Sequence, residues 1–246
     1  MTVLGRTTVA LTLAVATLGA RAQMNLGQGY VDLSASLMSV NAFNNVLEGV
    51  KRPVRGSGGK RPVGKAPVPK PARLTYTESP AVTKKVERNF VAFLRQSGLN
   101  EGADSMAKFL KTGDFRKVWA QEVASNGLRR GDVADALAAY WAANWAIANR
   151  KTDVSTAQVR GIRRQLAPIL ARDRTMAGLS NARRQEISEV WMINYVAQVG
   201  GYAAALKSGD AATLGKVSDA AVTRFKNEVK IDLRTVNLTG NGFTRR

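Results

Sequence analysis

The chain has 246 residues, 37 Lys and Arg against 18 Asp and Glu, and a formal net charge of +19. It contains no cysteine and no histidine, which excludes disulfides, thiol and iron–sulfur chemistry, His-ligated zinc, c-type haem, and Ser-His-Asp or Cys-His nucleophile systems. The folded part must therefore be held by hydrophobic packing, and any catalysis must come from carboxylate, hydroxyl or lysine groups.

Residues 1–22 predict a secretory signal peptide: Arg6 supplies the charged start, Thr7 to Leu18 an apolar run, and Ala20-Arg21-Ala22 a small-x-small cleavage site. The run is too short for a stable span, and no later run reaches the roughly 18 apolar residues needed for one. The mature chain is expected to begin near Gln23, in the periplasm or outside the cell, with no transmembrane segment. Loss of Arg6 and Arg21 leaves it near +17.

Residues 23–78 read as a flexible basic linker. Six of the seven prolines fall between Pro53 and Pro80, and residues 51–73 carry eight positive charges and no acid. Gly56-Ser57-Gly58-Gly59 favours coil and Pro67-Val68-Pro69-Lys70-Pro71 favours polyproline II. Such a segment buries too little apolar surface to offset its ordering entropy.

From Ser79 the periodicity is helical, so 79–246 is the expected domain. Ser79-Pro80 opens a first helix with Val82, Val86, Phe90, Phe93 and Leu94 on one face, and Gly98 closes it. A short helix from about Ala103 to Leu110 follows. Asp114 caps a third, with Phe115, Val118, Trp119 and Val123 inward. Asp132 caps a fourth, Val133 to about Asn149, which is apolar all round and so belongs at the centre. Ser155 and Gln158 form a capping box for a fifth, which Pro168 should kink or end. Ser180 starts a sixth through Trp191, Tyr195 and Tyr202, with Gly200-Gly201 as a candidate break. A last helix spans about Ala211 to Val229. With no alternating strand pattern before Ile231, the fold class is all-α, a compact bundle of six or seven helices.

The stretch from Gly131 to Trp141 (GDVADALAAYW) and the ending Leu238 to Phe243 (LTGNGF) are similar to a family of secreted bacterial helical proteins known as a domain of unknown function. The chain departs from the family pattern at Gly131, where the family has Asn. The resemblance spans about residues 80–243. It implies a helical secreted domain and supplies no activity, cofactor or catalytic residue.

Four groups of residues remain as candidate sites, each with a structural reading beside the functional one. Asp132 and Asp135 suit an acid/base pair, but at a helix start they also suit capping. Glu122 lies among Phe115, Val118 and Trp119, where a carboxylate gains proton affinity and suits a general acid for a glycan-acting enzyme, or else pairs with an arginine. Asn144, on the Tyr140 and Trp141 face, and Asn194 and Gln198, on the Trp191 and Tyr195 face, suit a polar small-molecule site or an internal hydrogen-bond layer. Arg160, Arg163 and Arg164 suit a phosphate clamp or a solvated face. No metal site, cofactor or sequence-specific nucleic-acid motif is legible. Residues 81–246 hold 27 Lys and Arg against 15 Asp and Glu, a balance of +12, beside +5 in residues 23–80. The expectation is an exported, non-enzymatic domain with a binding or structural role at the bacterial envelope, adhering to anionic lipid or a polyanion.

Overall fold

The computed structural model describes residues 71–246; the expected signal peptide and all but the last residues of the expected linker lie outside the described residues. The fold is all-α, with eight helices and one small hairpin: α1 Pro80–Gln96, α2 Asn100–Thr112, α3 Phe115–Val123, α4 Val133–Ala148, α5 Thr156–Arg172, α6 Arg174–Ala177, α7 Asn181–Ser208, α8 Ala211–Val229, β1 Val236–Thr239 and β2 Gly242–Arg245. The eighth helix beyond the expected six or seven is α6, a single turn that Asp173 caps by accepting the Met176 amide.

α4 is the axis of the bundle. Every one of its residues is buried, and α5, α7 and α8 pack around it. Eight alanines let those helices come close, while Leu137, Tyr140, Trp141, Trp145 and Ile147 fill the space between them. Asp132 fixes its start by accepting from the Ala134 and Asp135 amides. Ser155 and Gln158 close the capping box of α5 reciprocally.

Two expected interruptions do not interrupt. α5 runs through Pro168 to Arg172, because burial of Leu166 and Leu170 on either side holds the turn against the missing amide. α7 continues through Gly200-Gly201 for 28 residues, with both glycines buried in the bundle. Burial on both sides of the pair outweighs the propensity loss of roughly 1 kcal/mol per glycine.

The folded unit also begins before Ser79. The Ala72 amide donates to the Ala171 carbonyl (2.6 Å), Val133 to Leu74 (3.0 Å) and Tyr76 to Gly131 (2.9 Å). This extended arm crosses from the end of α5 to the start of α4. Gly131 stands at φ +82, a conformation open to Gly and, among other residues, best tolerated by Asn. α7 receives the arm with side chains: Asn181 and Gln185 each both donate to and accept from the backbone of Thr77 and Ser79.

The C-terminal hairpin is read by side chains in the same way. Trp145 donates to the Val236 carbonyl, Gln158 to Leu238, and Gln165 clamps both the amide and the carbonyl of Phe243. Phe243 is thereby inserted against Trp141. Gly161 makes the approach possible, since a Cβ there would lie 2.5–2.8 Å from backbone atoms of Gly240 and Gly242. Gly161→Ala should therefore destabilise the domain by about 1–3 kcal/mol despite its better helix propensity. Hydrogen exchange should show the amides of residues 236–245 losing protection first; unchanged protection would mean the hairpin does not depend on this contact.

Candidate functional site

Two polar networks cross the interior. The first lies between α4, α7 and α8. Asn144 donates to the Tyr140 carbonyl (2.9 Å) and to Gln198 Oε1 (2.8 Å), and accepts from Arg224. Gln198 reaches Asn194 Oδ1 at 3.4 Å, and Asn194 donates to the Val190 carbonyl. The Tyr140 hydroxyl donates to both oxygens of Glu228 at 3.4 Å. All six side chains are buried, Asn144 completely. Burial pushes the Glu228 carboxyl up to about 7, the nearby Arg224 charge opposing it only in part.

This layer joins Tyr140, Asn144, Asn194 and Gln198, the amides and one aromatic that the sequence placed on facing helix sides. Trp141, Trp191 and Tyr195 are buried beside it as packing. Trp141 meets Phe225 edge-on with ring centres 5.1 Å apart. The amides spend their donors and acceptors on one another and on helix carbonyls, which gives the layer the geometry of a register-setting network.

Arg224 and Glu228 were not legible as members from their residue types. A signal existed: with Val217 and Ala221 they continue the i, i+4, i+7, i+11 stripe that α8 turns to the core. Opposite charges at i, i+4 spacing on an apolar stripe mark a buried polar contact.

The second network joins the arm, α1, α3 and α7. Glu189 accepts from Thr83 (3.0 Å) and Gln185 (2.8 Å), with Arg116 3.8 Å away. Arg116 also binds Asp114 through two nitrogens and reaches Glu78, which Arg130 shares. Burial raises the Glu189 carboxyl above its ordinary range. Burial acts the same way on Asp114, yet hydrogen bonds from Arg116 hold that carboxyl below its ordinary value. The network fastens the arm to the bundle; nothing in the local pattern of α7 announces it.

Asp132 and Asp135 serve the start of α4 and one arginine. Asp135 accepts from the Arg129 amide and pairs with Arg163 Nε, while Arg163 Nη2 lies 3.3 Å from Asp132 Oδ2. Burial nonetheless raises the Asp135 carboxyl. Three of the four arginines of α5, Arg160, Arg163 and Arg164, each bond elsewhere in the fold. Arg160 donates to the Asn126 carbonyl and Arg164 to the Gly240 carbonyl. They brace the loops that carry Asn126 and Gly240.

Glu122 sits half-buried on the rim of α3, less enclosed than its apolar neighbours Phe115 and Trp119. Its charge helps burial push the Tyr195 phenol upward. The Tyr195 hydroxyl is buried without a hydrogen-bond partner and does not complete the Asn144 layer. Among the described residues, no group of His, Cys, Asp or Glu is arranged to hold a metal, and no helix is long and apolar enough to cross a membrane.

These features define a helical domain in which the carboxylates Asp132 and Asp135 and the amides Asn144, Asn194 and Gln198 bond within the fold. More particularly, the chain belongs to the family of unknown function DUF6683, whose family model matches residues 61–246. Among curated proteins and solved structures, none matches.

Proposed function

We propose that the chain is an exported, non-enzymatic helical domain with a binding or structural role at the bacterial envelope, adhering to anionic lipid or polymer through its charge. The observation that carries this reading is the division among its polar groups. The candidate carboxylates Asp132 and Asp135 and the candidate amides Asn144, Asn194 and Gln198 are engaged inside the fold. The cationic excess is outside: Lys108, Lys111, Lys117, Arg129, Arg172 and Lys207 are all exposed. Fields of this kind concentrate polyanions and anionic surfaces and are screened over about 8 Å at physiological ionic strength. The signal-peptide pattern of residues 1–22 supplies the compartment.

The test is binding of the chain from Gln23 onward to inorganic polyphosphate and to vesicles containing phosphatidylglycerol. Binding to at least one should be clear at about 50 mM salt and fall steeply by about 300 mM. Absence of binding to either at low salt would refute the adhesion reading.

A further inference from the structure

We infer that the corner where the arm meets the ends of α5, α6 and α7 is a docking surface for a linear, phosphate-bearing polyanion. This deepens the adhesion reading and rests on it. Five arginines gather at this corner, and Lys85 reaches it only to share Glu186 with Arg183. The Ala72–Ala171 hydrogen bond sets Arg73 and Arg172 on adjacent residues of two crossing segments. Arg73 Nε donates to Thr75 Oγ1 and Arg184 Nε to the Thr75 carbonyl, both at 3.1 Å, so these two guanidinium groups share one residue. Arg184 also donates to the Leu179 carbonyl, at the end of α6. Arg174 opens α6, two residues beyond Arg172, and Arg183 precedes Arg184 at the start of α7.

The charge at this corner is not cancelled. The carboxylate of Asp173 is turned to the Met176 amide. Glu186 is matched by both Arg183 and Lys85, at 2.9 and 3.1 Å. Arg73, Arg172 and Arg174 are exposed, and the half-buried Arg184 is oriented by its two carbonyls while other N–H groups of its fork remain for a ligand. Arg160, Arg163 and Arg164 on α5 bond individually to the Asn126 carbonyl, to Asp135 and to the Gly240 carbonyl, three separate partners, whereas Arg73 and Arg184 meet at one residue, Thr75.

Residue type and surroundings select the occupant. The guanidinium fork matches phosphate oxygens in pairs, which an ammonium does not. A bilayer would be gripped better with an apolar wedge beside the charges. Here Met176 is buried, and Leu74 and Leu179 pack against the core.

The experiment measures binding of inorganic polyphosphate and of phosphatidylglycerol vesicles by the chain from Gln23 onward. It compares the wild type with Arg172→Ala/Arg174→Ala and with a control of equal charge change, Lys108→Ala/Lys111→Ala on α2. None of these four side chains is needed for the networks described above, and equal thermal midpoints would verify the folds. The corner variant should bind polyphosphate about tenfold more weakly, with a salt slope lower by about two, whereas the control should change by less than about twofold. Equal losses in both variants would overturn the corner while leaving general adhesion standing. Binding to vesicles in preference to polyphosphate would overturn the polymer as its occupant. No binding by the wild type to either probe would remove the adhesion reading and this one with it.

Discussion

Arg163→Ala is expected to lower the stability of the domain by about 3 kcal/mol, a fall in thermal midpoint of roughly 6–12 °C. The reason is what the substitution leaves behind. Asp135 is 1% exposed and Asp132 5%, both at the start of the helix on which the bundle is built. Arg163 supplies the countercharge to both, and even with it in place burial raises the Asp135 carboxyl. Without it, two carboxylates face each other with helix amides as their remaining partners. Asp135→Asn in the Arg163→Ala background should restore part of the loss. An asparagine still accepts from the Arg129 amide but carries no charge to strand. If the two changes instead add their separate costs, the ion pair is not the source of the effect.

This pair illustrates what a sequence conveys and what it withholds. The caps at Asp114, Asp132, Ser155 and Ser180 are used as their spacing foretells, because each acts within its own turn. The central position of α4 follows from its having no polar face. The meeting of Asn144 with Gln198 could be anticipated because each sits among aromatics on a helix side that must face another helix. In contrast, Arg163 reaches back 28 residues to Asp135, and the sequence offers no local reason to choose it over Arg160 or Arg164. The hairpin escapes for a similar reason. Its strands are four residues long and take their hydrogen bonds from Trp145, Gln158 and Gln165, so their support lies about 80 residues away. The arm was hidden by composition, since prolines and charges upstream of Pro71 mask the short segment from Leu74 to Tyr76 that docks. Among the candidate sites, residue types alone favoured architecture over a ligand without excluding the ligand. The geometry adds where each hydrogen bond ends.

Thermal stability should fall as pH rises from about 5 to about 8, and Glu228→Gln should remove most of that slope. Glu228 has an ordinary carboxyl in the unfolded chain, near 4.5, and is held up to about 7 in the fold by burial between α4 and α8. The folded state therefore binds this proton more tightly than the unfolded state. An acid raised in this way contributes its full stability below the unfolded value, loses it progressively between about 4.5 and 7, and contributes none above. The difference corresponds to about 3 kcal/mol across that window. Glu189 and Asp135 are raised as well and act with the same sign. Asp114, Glu186 and Asp232 are lowered, so their contributions are lost only as pH falls through the acid range, outside this window. Glutamine at 228 keeps an acceptor for the Tyr140 hydroxyl and has no proton to lose. Its variant should match the wild type at the acid end of the window and exceed it at the alkaline end. Thermal melts at several pH values in constant salt measure this directly. A slope as steep in Glu228→Gln as in the wild type would place the titrating group elsewhere, with Glu189 the next to replace.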